Sequence, residues 1–161
     1  MLSGVTLREV TSAGVAALAL VLVASACSGD DDPTAANEQN VFDISTDTPV
    51  CMQVTDGLEP EVKELPVISC DQPHSDEIYA TIESAEEVYP GVVALSAFAE
   101  VRCLSAFEDF VGISVFDSTL TYSWLVPSLE SWNTKDDRDI LCVLMRTDRA
   151  PLQGSMRDAQ V

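Results

Sequence analysis

Residues 93–112 read VALSAFAEVRCLSAFEDFVG and residues 139–145 read DILCVLM. These two stretches decide the fold. In the first, Leu95, Phe98, Ala99, Arg102, Cys103, Ala106, Phe107 and Phe110 recur at intervals of three and four, the period of an amphipathic helix over about 93–111, with Gly112 as its C-terminal stop. Cys103 shares a face with Ala99, Phe107 and Phe110, so the helix points it into the core. The second stretch is apolar on both faces, which predicts a central strand with the helix across one of them. Cys142 on that face would meet Cys103.

Working outward, Leu120, Tyr122, Trp124 and Val126 alternate with Thr121, Ser123 and Leu125, a strand pattern. Residues 77–82 (EIYATI) alternate polar and apolar, which suits a half-buried strand, and 66–70 (PVISC) is a short strand candidate. Residues 41–54 have strand-like alternation broken at Thr48-Pro49, and Asp56-Gly57 is a turn signal. Pro127 to Arg138 reads as a polar connection containing Trp132. The expected class is α+β: a mostly antiparallel sheet of four or five strands with one main amphipathic helix packed across it and two disulfides.

The chain has 161 residues, one domain's worth, and 47% of them are hydrophobic, so there is material for a core. Its charge is lopsided: 27 acidic against 8 basic residues, a formal net charge of -19. That excludes nucleic acid as a partner, because duplex binding needs a basic footprint, and it excludes a polybasic grip on anionic lipid. The single His leaves no metal site built on two imidazoles. There is no Walker loop, dinucleotide fingerprint, H-E-x-x-H, kinase signature or G-x-S-x-G elbow. Asp43 to Asp47 begins like a calcium loop but lacks Gly at the sixth place and Glu at the twelfth. No metal and no cofactor are expected.

The N-terminus reads as an address. Ala13–Ala24 is an apolar run of 12 residues, too short for a bilayer span of ~20 residues and right for a signal-peptide core. Small residues Ala24-Ser25-Ala26 then precede Cys27. This looks like the lipobox of a bacterial lipoprotein, in which the cysteine is lipidated with diacylglyceryl and palmitate-type chains. Residues 1–26 are therefore expected to be a signal peptide. Residues 27–40 would be a lipidated cysteine and an acidic tether, holding the domain roughly 20 Å from its lipid. The domain proper would run over 41–156, with a disordered tail at 157–161. The expected location is the extracytoplasmic face of the cell membrane, with the lipid anchor as the membrane contact.

With Cys27 lipidated, Cys51, Cys70, Cys103 and Cys142 remain, an even number that reads as two disulfides in an exported chain. Of three connectivities we favour Cys51–Cys70, closing a loop of about 20 residues and worth roughly 3 kcal/mol, and Cys103–Cys142, stapling helix to strand.

The block Cys70-Asp71-Gln72-Pro73-His74-Ser75-Asp76-Glu77-Ile78 resembles the C-x-x-P-H-x-x-E-V block of the septum formation family. Tyr89-Pro90-Gly91 before an Ala-rich helix resembles it too, as do Pro127, Trp132, Asp137-Arg138 and Cys142, and the terminal Gly154-Ser155. Two departures stand out: Asp136 occupies the place of the family's Gly before Asp-Arg, and Pro49-Val50 replaces a Gly-Asp pair. The resemblance implies an actinobacterial, envelope-exposed domain, often membrane-tethered, with septation in cell division as the setting. It supplies no reaction.

His74, Asp76, Glu77, Trp132 and Arg138 form the candidate structural or binding cluster. The first reading of His74 is structural: it follows Pro73 in a stiff turn and ties two strands together. Arg138, with so few bases among many carboxylates, is expected to pair with the acidic residues around His74. The functional expectation is a non-catalytic envelope module that binds an envelope protein or wall polymer. The alternatives are a wall-acting enzyme, with His74 and Glu77 as acid and base and Trp132 as a sugar platform, and a small-ligand carrier or sensor with a pocket near Trp132.

Overall fold

The structure, a computed structural model, describes residues 37–40, 44, 49–55 and 64–161. The expected signal peptide, Cys27 and most of the expected tether lie outside these residues. Six strands form one antiparallel sheet: β1 (Asn37–Asn40), β2 (Val50–Met52), β3 (Glu64–Ile68), β4 (Asp76–Glu83), β5 (Leu120–Leu125) and β6 (Asp139–Arg146), in spatial order β1-β3-β2-β4-β6-β5. The helices are α1 (Val92–Val111) and α2 (Leu129–Lys135). The class is α+β, as the two opening stretches require.

The strand beyond the expected four or five is β1, which lies in the stretch read from composition as tether. Asn37–Asn40 pairs with Val67–Glu64. An edge ladder is made by the backbone, so a polar sequence without apolar period carries no sign of it.

β6 lies inside the sheet, between β4 and the edge strand β5, and is buried along most of its length. Ile140, Cys142 and Leu144 face α1; Leu141, Val143 and Met145 join Ile44, Val50, Met52, Leu65 and Ile78 on the opposite face. α1 presents Leu95, Ala99, Cys103, Phe107, Phe110 and Val111 to the sheet. Phe98 and Arg102 share the spacing but lie at the margin of the stripe, on the exposed side, where the Arg102 guanidinium sits 5.9 Å from the Phe98 ring. Gly112 ends the helix in left-handed geometry at φ 86°. Both expected disulfides are present. Cys103–Cys142 joins α1 to β6 at a Cα separation of 5.4 Å, and Cys51–Cys70 ties β2 to the turn after β3 at 5.2 Å.

β4 does not alternate strictly. A bulge lies between Ile78, opposite Val143, and Ala80, opposite Cys142, and Tyr79 is the extra residue. It turns toward α1, where its hydroxyl donates to the Cys103 carbonyl at 2.7 Å and its ring meets Phe107 and Phe110 at 5.9 and 5.8 Å.

Two further expectations are corrected. The connection 127–138 contains α2, seven residues long, started by a capping box in which the Ser128 hydroxyl accepts from Ser131 N–H and the Ser131 hydroxyl accepts from Ser128 N–H. And 157–161 is not a loose tail. Asp158 N–H donates to the Phe110 carbonyl at 2.8 Å, Gln160 N–H to that of Val111 at 3.0 Å, and the Arg157 guanidinium lies 4.5 Å from the Phe110 ring. These bonds satisfy carbonyls that the end of α1 leaves without a helical partner.

α2 ends at Asp136 in left-handed geometry, φ 55°. The backbone thus keeps at Asp136 the shape that favours glycine, at a steric cost. Asp136→Gly is expected to stabilise the domain by about 0.5–1 kcal/mol, seen as a higher midpoint in urea unfolding with an unchanged slope.

Candidate functional site

The five candidate residues divide between the two ends of β4. His74, Asp76 and Glu77 lie at its start. Trp132 and Arg138 lie beyond its last residues, where Glu83 pairs with Asp139 and Ser84 N–H donates to the Arg138 carbonyl at 2.9 Å. Eight residues of strand separate the ends by roughly 25 Å. Arg138 therefore does not pair with the acids around His74.

At the far end, Arg138 packs over the Trp132 ring at 3.9 Å, donates through Nη1 to the Trp132 and Asp137 carbonyls at 3.1 and 3.0 Å, and pairs through Nη2 with Asp136 at 2.9 Å. The Tyr89 ring stands edge-on to Trp132 at 5.5 Å, and the Tyr89 hydroxyl donates to the Pro127 carbonyl at 3.3 Å. Trp132 is buried. Its ring is enclosed by protein on the sides a sugar would need. This constellation ties α2 to the start of β6.

At the near end, His74 and Glu77 are fully buried. His74 backbone forms a two-bond bridge with Leu152: His74 N–H donates to the Leu152 carbonyl at 3.1 Å and Leu152 N–H to that of His74 at 2.7 Å. The imidazole Nδ1 lies 2.8 Å from the Gln72 carbonyl. A carbonyl only accepts, so hydrogen-bond logic puts a proton on Nδ1. Glu77 receives the C-terminal segment: the Ser155 hydroxyl donates to Oε1 at 2.6 Å and Met156 N–H to Oε2 at 2.8 Å. Gly154 N–H donates to the Cys70 carbonyl at 2.9 Å and the Gln153 amide to that of Asp71 at 2.8 Å. The segment 152–156 is thus latched onto the turn 70–77.

Burial pushes the Glu77 carboxyl above the usual carboxylate range; the bonds from Ser155 and Met156 and the charges of His74 and Arg157 pull the other way. Asp76 points to the opposite face of the sheet. Burial raises it too, against the Ser75 hydroxyl and the charges of Arg149 and His74. Cys51, His74 and Glu77 bring potential ligand atoms within 4.8 Å of one another. The Cys51 sulfur is bonded to Cys70, and a disulfide sulfur is not a thiolate; both Glu77 oxygens already accept hydrogen bonds. The grouping as it stands is a packed junction of polar groups, not a metal centre.

The blocks at the two ends of β4 thus each close a structural junction, and the family model for septum formation matches residues 28–150. The chain belongs to the septum formation family. No curated protein and no solved structure matches it. Membership points to an envelope- and division-related role. Among the described residues no helix is long and apolar enough to cross a membrane. The match begins at Ser28, ahead of the boundary drawn from composition, which agrees with β1 being part of the sheet.

Two site residues carry no signal of their partners in the sequence: Ser155, and Arg149, whose Nη1 lies 3.5 Å from Asp76 Oδ1. An isolated polar pair near the end of the chain gives no period to read. Only the buried acid at 77 signals that some donor must reach it.

Glu77→Ala leaves the Ser155 and Met156 donors without their acceptor and is expected to cost about 1–3 kcal/mol, with faster amide exchange at Met156 and Asp158 than at Leu144. A second expectation concerns pH. The folded chain holds the Glu77 and Asp76 protons more tightly than the unfolded chain does. Their contribution to stability is fully present below the usual carboxylate range and is lost as pH rises through their raised folded values. Melting temperatures measured from pH 7 downward should therefore show a smaller gain on acidification in Glu77→Gln than in the unmutated protein; an equal gain would refute this.

Proposed function

We propose that this septum formation protein is a lipid-anchored, non-catalytic module on the outer face of the cell membrane, and that it docks an envelope protein through the first half of α1. The observation that carries the reading is the outward side of that helix. Val92, Val93, Ala94, Ala97, Phe98 and Val101 are all exposed there, Val93 to 85%. A surface helix normally turns charge outward. Here apolar side chains follow one another along nearly three turns, with exposed Val88 just before them. An exposed apolar stripe with polar surroundings is the signature of a protein contact.

Glu86, Glu87 and Glu100 border the stripe, in a chain of net charge -19. The complementary partner carries an apolar centre and a basic rim. The lipobox-like residues before Cys27 support the anchor. The wall-enzyme reading has less support, since His74 and Glu77 are closed to solvent and the Trp132 ring is covered. A small-ligand pocket near Trp132 is disfavoured on the same ground.

The test is crosslinked pull-down from envelopes. Val93→Glu with Val101→Glu should remove the captured partner while changing stability by no more than about 0.5 kcal/mol each. Cys27→Ser should move the protein to the aqueous fraction or leave it unprocessed. Undiminished capture by the double variant refutes the docking face, and normal membrane retention of Cys27→Ser refutes the anchor.

A further inference from the structure

On the face of the sheet turned away from α1, a cavity of about 880 Å³ opens over β4, β6 and β5. That volume lies in the range of small-molecule sites. Its walls are mixed. Val54, Leu125, Val143 and Met145 supply apolar surface, and the register puts Ser123 opposite Val143 and Asp76 opposite Met145, on this same face. Asp76 is the acidic group at the wall, with a side chain only 5% exposed. Its Oδ2 is buried and meets no donor in hydrogen-bond geometry among the described residues, since the adjacent Ser75 hydroxyl gives its one proton to the Met52 carbonyl at 3.2 Å. A carboxylate oxygen removed from water without a donor is costly, and such groups in folded proteins call for an explanation.

The nearest cation does not supply it. Arg149 reaches Asp76 only through Nη1 to Oδ1 at 3.5 Å, and its side chain is 67% exposed at the cavity rim. An exposed, one-point arginine is a weak hold that a better-placed cation can replace. Glu77, the neighbouring carboxylate, is by contrast consumed by two short hydrogen bonds on the other face.

We propose that this cavity binds a primary ammonium group on a short apolar stem, with Asp76 taking the charge and the Val143–Met145 surface taking the stem. The ammonium offers three donors, one for Oδ2 and another for the oxygen of the adjacent Ser75 hydroxyl. A guanidinium-sized or anionic ligand fits less well: Arg149 already shows how loosely the larger cation meets Asp76, and an anion would face an unpaired carboxylate. The strong negative charge of the whole chain favours cation encounter. The ammonium could be carried by a free amine or by a lysine-type side chain of a peptide, and the probes separate these.

The experiment is a ¹⁵N-edited titration of the exported chain with hexylammonium chloride, with hexanol as the neutral analogue and N-acetyl-lysine amide as the peptide-borne form. Hexylammonium should shift the amides of Asp76, Ser123 and Val143 and bind at least about tenfold more tightly than hexanol. Preference for the lysine amide over the alkylamine identifies a peptide source, and the reverse a free amine. Asp76→Asn should weaken ammonium binding roughly tenfold or more, with hexanol unchanged. Arg149→Gln should tighten it about two- to fivefold by removing the competing cation. Ser123→Trp, at an exposed strand position, should fill the cavity and abolish binding with Asp76 intact. Equal affinity for hexanol and hexylammonium, no shift at these amides, or binding that survives Ser123→Trp overturns the proposal.

Discussion

The Glu77 carboxylate is buried on the helix side of a central strand, and the chain must bring donors to it. It brings them from the far end of the sequence: the Ser155 hydroxyl and Met156 N–H close on its two oxygens. That requirement fixes the path of everything after β6. Once 155 and 156 are held, Gly154 meets the Cys70 carbonyl, Leu152 bridges His74, and residues 158 and 160 reach the carbonyls at the end of α1. Four parts of the chain meet around one acid: the β2–β3 pair through Cys51–Cys70, the turn at His74, the start of β4, and the C-terminal segment.

The same acid works against misregister. Side chains of a strand alternate between faces, so a slip of one residue in β4 would send Glu77 to the face lined by Val50, Ile78 and Val143 and away from its donors. The carboxylate would then be buried in apolar surroundings with nothing to bond. The disulfides act on the same geometry from either side. Cys51 sits opposite Glu77 in the β2–β4 pair, and Cys142 sits opposite Ala80 just past the bulge. The bulge at Tyr79 is compatible with a fixed register because Tyr79 gains a buried hydroxyl bond to α1 in return for its lost ladder position.

What could be read from the sequence follows the length scale of the signal. α1 was legible because twenty residues carry a full apolar period, and β6 because its run is apolar on both faces. The pairing of Cys103 with Cys142 followed from the face each occupies. α2 was not legible: seven residues are too few for a period, and its start is set by two serines that bond each other's backbone. β1 was invisible because its ladder is backbone alone. For the site, the block from Cys70 to Glu77 falls at the near junction. The error was Arg138. Charge scarcity says that an arginine needs a partner but not where that partner is, and the register that places Arg138 beside Ser84 belongs to the folded sheet. Instead of a distant carboxylate it found the Trp132 ring and two carbonyls close by in sequence.

Asp76 and Glu77 are neighbours in sequence and opposites in circumstance. The two-residue period of the strand puts one on each face, so the protein can treat two adjacent carboxylates independently. Glu77 meets the latch and loses all contact with solvent. Asp76 meets a cavity wall, an exposed arginine at 3.5 Å and, among the described residues, no donor for its second oxygen. A carboxylate needed only for folding would be served as Glu77 is, by donors fixed within the chain. The unequal treatment separates the two acids: on the helix side of β4 Glu77 holds the C-terminal segment, and on the other side one oxygen of Asp76 has no donor among the described residues.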